Sequence, residues 1–164
     1  MAFDAYKYFE KIWKTNKITA AGGYKFCKVS GMSYMENVIQ NFRKETAYFC
    51  VDETEDGNIM QQGNGSGYME RRQYTIFLLK KFGINKMDDQ HEALQECRNI
   101  YRQIVKKLIR DKRFLEEQMT YVHLDRIPFY EIPGYFISGC TGLYFMITID
   151  IPTNLCFDGN EWND

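Results

Sequence analysis

The sequence predicts a single α+β domain spanning residues 1–164, a mixed or antiparallel sheet of four to five strands packed by one long helix and shorter N-terminal helices. Three observations carry this expectation. Residues 70–80 and 143–151 have strand composition, and in the second Phe145, Ile147, Ile149 and Ile151 alternate with Thr148 and Asp150. Residues 88–117 repeat apolar side chains at helical spacing with no Pro or Gly, enough for a helix roughly 45 Å long. A chain of 164 residues is also the natural size of one domain around one core.

Taken in order, Phe3, Tyr6, Phe9 and Trp13 fall at helical spacing among Asp4, Lys7, Glu10, Lys11 and Lys14. An amphipathic helix within residues 1–16 is expected, its aromatic stripe facing either the core or a neighbouring subunit. Ala20-Ala21-Gly22-Gly23 ends that pattern, and residues 24–29 alternate weakly as a short strand. Ser33 and Glu36 have the spacing of a capping box for a helix with Met35, Val38, Ile39 and Phe42 on one face. Residues 46–51 read as a strand that stops at an acidic turn from Asp52 to Gly57. Gly63-Asn64-Gly65-Ser66-Gly67 reads as a loop, and Tyr68 to Lys81 as a long strand whose apolar run 74–79 belongs in the centre of a sheet. Asp88 or Asp89 is the expected cap of the long helix. Residues 120–132 are expected to be β, with turns at Pro133-Gly134 and again at Gly139 to Gly142 before the last strand. A polar tail, 153–164, closes the chain.

Apolar residues make up 45% of the chain and charged residues 26%, values of a folded domain rather than a disordered one. Lys and Arg total 21 against 22 Asp and Glu, so no overall field draws the protein to nucleic acid or acidic lipid. The opening residues lack the apolar core of a signal peptide, and no run reaches the roughly 18–20 apolar residues of a membrane span. A soluble protein of the cytoplasm is the expectation, with no membrane partner. Five cysteines, Cys27, Cys50, Cys97, Cys140 and Cys156, are widely spaced with no CxxC pair, which argues for reduced thiols over a zinc knot or disulfide framework.

No catalytic, cofactor-binding or metal-binding residue is assigned. The glycines at 63–67 have the wrong spacing for a nucleophile elbow and lack the lysine of a phosphate loop. Asp88, Asp89, His91 and Glu92 cluster at a helix start, where capping already accounts for the acids. Cys140, His123 and Asp125 are the residue types of a small Cys–His enzyme, with nothing in the sequence to bring them together. Arg98, Arg102 and Lys106 fall at i, i+4 and i+8, a positive stripe of the kind nucleic-acid readers use, diluted by Glu92, Glu96 and Asp111.

The run Glu70-Arg71-Arg72-Gln73-Tyr74-Thr75-Ile76-Phe77-Leu78-Leu79 followed by the helix from Asp88 resembles the tail-terminator, or tail-completion, proteins of tailed phages and prophages. So does the ending, Tyr130 to Tyr135, the Gly-rich segment Gly139 to Gly142, then Phe145 to Pro152. The resemblance is one of pattern over roughly residues 30 to 155, and the family has no catalytic motif to carry over. It implies a non-enzymatic assembly protein that forms rings with itself, often hexamers, and meets other tail or neck proteins, in the host cytoplasm during assembly and afterwards in the virion tail. The candidate contact residues are Gly63, Asn64, Gly65, Ser66, Gly67 and Tyr68, with Arg98, Arg102 and Lys106. The alternatives are a nucleic-acid-binding or regulatory protein using the basic stripe, and the Cys–His enzyme.

Overall fold

The computed structural model describes residues 3–54, 56–63, 65, 67–83, 85–137 and 139–162, with side chains for all of these except 32–34 and 135–137. Helix α1 (Ala5–Thr15) begins where the Asp4 carboxylate accepts a hydrogen bond from the Lys7 amide, 2.9 Å away. It buries Ala5, Phe9 and Ile12, while Phe3, Tyr6 and Trp13 pack on the same core from its flanks. The aromatic stripe thus belongs to the chain's own core. A one-turn helix α2 (Lys17–Ala21), capped by Asn16, leads into strand β1 (Tyr24–Val29). There follow α3 (Gly31–Asn41), β2 (Ala47–Asp52), β3 (Asp56–Gln61), β4 (Tyr68–Lys81), α4 (Met87–Glu117), β5 (Tyr121–His123), β6 (Phe129–Ile137) and β7 (Cys140–Thr153).

The sheet has seven strands in the order β1-β2-β4-β7-β5, with β3 also pairing β4 and β6 also pairing β7. It is therefore larger than the four to five strands expected, and the α+β class holds. The extra strands have a simple origin. β2 and β3 both run antiparallel to β4 along the same side, and β5 and β6 both run antiparallel to β7 along the other. Each pair is one long strand interrupted, at residues 53–55 and 124–128. β1 lies parallel to β2 at the edge, and α3 is the crossover between them. The two interruptions lie at one level. On β4 the ladder partners pass from Gln73 to Ile76, and on β7 from Phe145 to Thr148. Only β4 and β7 continue through that level, pairing Tyr74 with Ile147 and Thr75 with Met146.

One face of the sheet is covered by α1 and α4. Alternate side chains of the strands, among them Phe49, Ile76, Leu78, Phe145 and Ile147, pack against the α4 stripe Cys97, Ile100, Ile104 and Leu108. Polar contacts pin the helices in place. The Tyr8 hydroxyl donates to Asp111 at 3.1 Å, and Glu96 accepts from both Tyr24 (2.9 Å) and Lys80 (2.7 Å). Burial with a carboxylate neighbour pushes the Tyr8 and Tyr24 hydroxyls well above the ordinary phenol range, so both remain donors. Among the described residues the other face is covered by a helix at one end only, where α3 lays Met35, Val38 and Ile39 over Tyr48, Cys50, Phe77 and Leu79.

Several local expectations are corrected. Helix α3 starts at Gly31 with Ser30 at its N-cap, three residues before the expected Ser33, whose side chain lies outside the described residues. Its first amide is satisfied from another strand, the Gly31 N–H donating to the buried Asp52 carboxylate at 3.1 Å. Asp52 thus belongs to β2 and to this cap; its other oxygen accepts from the Thr54 amide and hydroxyl. Helix α4 begins at Met87, with Lys86 at the N-cap and Asp88 and Asp89 in the first turn, where they meet the helix dipole without capping it. Pro133-Gly134 is no turn, because β6 runs through it as an irregularity in its register with β7, the kind of place an edge strand tolerates proline. Gly142 is likewise inside β7 and not in a turn.

Candidate functional site

The uncovered half of the second sheet face is the place where functional side chains gather. There β3, β4, β7 and β5 lie side by side, and the pleat brings Met60, Met69, Arg71, His123 and Asp150 to the same side. Arg71 and Asp150 are direct ladder partners. Their side chains form a two-pronged ion pair, Nε to Oδ1 at 2.7 Å and Nη2 to Oδ2 at 2.8 Å. His123 Nε2 lies 2.7 Å from the same Oδ2 and 3.2 Å from Arg71 Nη2. Nε2 cannot both donate to the carboxylate and accept from the guanidinium. The shorter contact to a charged oxygen assigns the proton to Nε2, leaving Nδ1 facing Asp125 at 3.9 Å.

Asp150 is almost buried, its side chain 12% exposed, whereas those of Arg71 and His123 are 35% exposed. The hydrogen bonds from Arg71 hold the Asp150 carboxyl below the usual carboxylate range, against the opposing effect of burial and with help from His123. A concavity of about 490 Å³ opens beside this cluster, lined by Met60, Gln61, Met69, Tyr121, His123 and Asp150. Further along the same face the rings of Tyr130 and Tyr144 stack with centroids 5.2 Å apart, and Tyr130 is 48% exposed. The arrangement supplies aromatic and thioether surface around a charge cluster whose members already satisfy one another. Tyrosine and methionine surfaces of this type suit contact with another protein.

The sequence-derived candidates fall elsewhere. Gly63, Gly65 and Gly67 form the tip of the β3–β4 hairpin, closed by hydrogen bonds from the Gln62 amide to the Gly67 carbonyl and from the Gly65 amide to the Gln62 carbonyl, both 2.9 Å. Gly65 has φ of 71°, a left-handed conformation that favours glycine. Asn64 and Ser66 lie outside the described residues. Tyr68 opens β4 at the foot of that tip and is 41% exposed. Of the basic stripe, Arg98 is spoken for. Its guanidinium grips Glu131 of β6 through two hydrogen bonds of 2.6 and 2.9 Å, which holds the Glu131 carboxyl below its ordinary range. Arg102 and Lys106 are exposed on the outer face of α4, where the neighbouring charges Lys107–Asp111, Lys112–Glu116 and Arg113–Glu117 pair along the helix. Among the described residues the stripe is thus two cations without an ion-pair partner, Arg102 and Lys106, rather than three. Arg98→Ala is expected to change stability by less than about 1 kcal/mol, because both partners are partly solvated; urea unfolding of the variant checks it.

Cys140, His123 and Asp125 do not converge. Cys140 starts β7 opposite Lys81, while His123 pairs with Thr148 near the other end, about eight residues or ~27 Å along the strand. Cys140 is also fully buried, and burial pushes its thiol up to about 11. That alternative is overturned by strand position. Among the described residues no three His, Cys, Asp or Glu side chains are grouped to hold a metal ion, and no helix is long and apolar enough to cross a membrane.

The Arg71–His123–Asp150 cluster is the feature that sequence reasoning missed. Its one signal was Asp150 within an apolar strand, since a charge there needs a partner on the adjoining strand. Fold and surface together define a mixed α+β protein with a seven-stranded sheet and one half-open sheet face. Compared with protein-family models and with curated protein sequences, the chain has no match.

Proposed function

We propose that this chain is a non-enzymatic assembly subunit of the tail-terminator type found in tailed phages and prophages, associating with copies of itself into a ring and with other tail or neck proteins. The observation that carries the reading is the half-open sheet face. A helix covers one end of it, the other end presents Tyr121 and the concavity at His123 to whatever lies outside, and Tyr130 stands exposed on the same face toward the α3 end. A ring subunit needs two different surfaces that fit each other, as head-to-tail association requires. The open face offers one, and the hairpin tip, exposed at Gly63, Gly65 and Tyr68, offers a second. Arg102 and Lys106 extend the candidate contacts to the outer face of α4. The charge cluster supports binding over turnover, since its hydrogen bonds are directed at one another.

Light scattering behind size-exclusion chromatography, over a concentration series in low and moderate salt, tests this. A discrete ring-sized oligomer is expected, or a monomer that assembles as concentration rises, with Tyr121→Glu or Tyr130→Glu shifting the equilibrium toward monomer. A strict monomer up to about 100 μM, well above a micromolar contact, defeats the proposal.

A further inference from the structure

Away from the open face, the edge of the sheet holds a pair of sulfurs. Cys27 and Cys50 are ladder partners on the parallel strands β1 and β2, with their Sγ atoms 3.7 Å apart beneath α3. Adjacent strands lie about 4.8 Å apart, inside the Cα range that a disulfide spans, and closing the bond moves the sulfurs from van der Waals contact to about 2.0 Å. From this geometry we infer that Cys27 and Cys50 form a reversible disulfide when the protein meets a hydroperoxide.

The two thiols differ in a way that assigns their roles. Cys27 is half-buried on the edge strand, whereas Cys50 is fully buried. Either sulfur can donate across this contact; the Cys27 S–H is also 3.7 Å from the Lys25 carbonyl, and with that bond made its sulfur is left to accept from Cys50, which lowers the Cys27 thiol against the effect of burial, with the charge of Lys25 assisting. The same hydrogen bond and burial push Cys50 well above the ordinary thiol range. Cys27 is therefore the attacking sulfur. It takes one oxygen from the hydroperoxide: an S–O bond forms, the O–O bond breaks, and the alcohol or water that leaves carries the thiol proton. The sulfur of Cys50 then attacks that of Cys27, the S–O bond breaks, and the departing hydroxide takes the Cys50 proton as water. The balance is two thiols and one hydroperoxide to one disulfide, one alcohol (or water) and one water. A dithiol returns the disulfide to the two thiols by exchange, becoming a disulfide itself.

The bond closes a loop of chain from β1 through α3 to β2, because the cysteines are 23 positions apart with α3 between them. It staples the edge strand to β2 and closes the loop that carries α3. The remaining cysteines serve as internal controls. Cys97 and Cys140 are buried with their thiols pushed up to about 12 and about 11, and Cys156 is exposed on the tail.

The experiment treats the full chain carrying Cys156→Ser, which removes the exposed thiol, with hydrogen peroxide, then alkylates under denaturing conditions and maps the peptides without reductant. The expected result is a Cys27–Cys50 crosslink with loss of two hydrogens, abolished by dithiothreitol, while Cys97 and Cys140 remain alkylated. Cys50→Ser is expected to leave a Cys27 sulfenic acid that dimedone traps, and Cys27→Ser to leave Cys50 unoxidised. Recovery of both cysteines as free thiols overturns the inference. So does a Cys27 that proceeds to sulfinic acid while Cys50 stays reduced. Should a serine variant fail to fold, the peptide map of the parent chain decides alone.

Discussion

Gly142→Ala is expected to destabilise the protein by about 3 kcal/mol or more, enough to remove a large part of the stability of an ordinary domain. Gly142 lies within β7, opposite Leu79 of β4. A Cβ at this position falls inside van der Waals contact with the carbonyl oxygen of Leu78 and within 3.0 Å of the Leu79 Cα. Both obstacles are backbone of the central strand pair, and Leu78 and Leu79 are themselves fully buried, so neither can swing aside. The ladder between β4 and β7 would have to separate at that level. Urea unfolding of Gly142→Ala against Gly63→Ala isolates the effect. Gly63 has no atom within 4 Å of its hypothetical Cβ and is expected to change stability by less than about 0.5 kcal/mol. Equal midpoints for the two variants would refute the close approach.

Asp150→Ala is expected to cost about 2 kcal/mol. Removing one partner of a fully buried pair costs more, about 3–5 kcal/mol, because the other charge is left stranded. Here Arg71 and His123 are each 35% exposed, and water rescues part of the loss. The acid dependence gives a sharper test. The folded-state value of Asp150 lies below its unfolded value of about 3.9, so its contribution is complete above that pH and fades as pH falls through the folded value. The stability gap between the parent chain and Asp150→Asn should thus shrink as pH falls below about 4. Glu131 and Asp4 are lowered in the same direction, by Arg98 and by the Lys7 amide, but they are present in both chains and cancel in the difference. A gap that widens toward acid would show that Asp150 is not held as a carboxylate.

Legibility in the sequence followed the local signals. Strand β4 could be read at its full extent because Ile76 to Leu79 is buried on both faces and the strand is bounded by glycines at 67 and 83. Helix α4 was readable because Cys97, Ile104 and Leu108 repeat without a breaker for 31 residues. Strand β3 was not, since Asp-Gly-Asn-Ile-Met-Gln has the composition of a turn and becomes a strand only because β2 is already laid along β4. Pro133-Gly134 and Gly142 carry the letters of turns while serving as a register irregularity and a close approach. The open-face cluster was hidden for a different reason. Arg71, His123 and Asp150 meet only once three strands have found their register, and Arg71 and Asp150 are 79 positions apart. Cys27 and Cys50 likewise gave no close-spaced motif, because their proximity comes from the parallel pairing of β1 with β2.

The coincidence of the two strand interruptions has a mechanical consequence. At the level of Tyr74 and Met146 the sheet narrows, among the described residues, to the β4–β7 ladder and a single bond from the Met146 amide to the Pro128 carbonyl, 3.1 Å long. Torsional stiffness of a sheet comes from its interstrand hydrogen bonds, so this waist is where the two ends twist most easily against each other. The end beneath α3 lies on one side of it, and the open end with the hairpin tip and the Arg71–Asp150 pair lies on the other. A load applied at the open end therefore crosses this level through the two-strand ladder and through α4, whose buried stripe joins one core with strands of both ends.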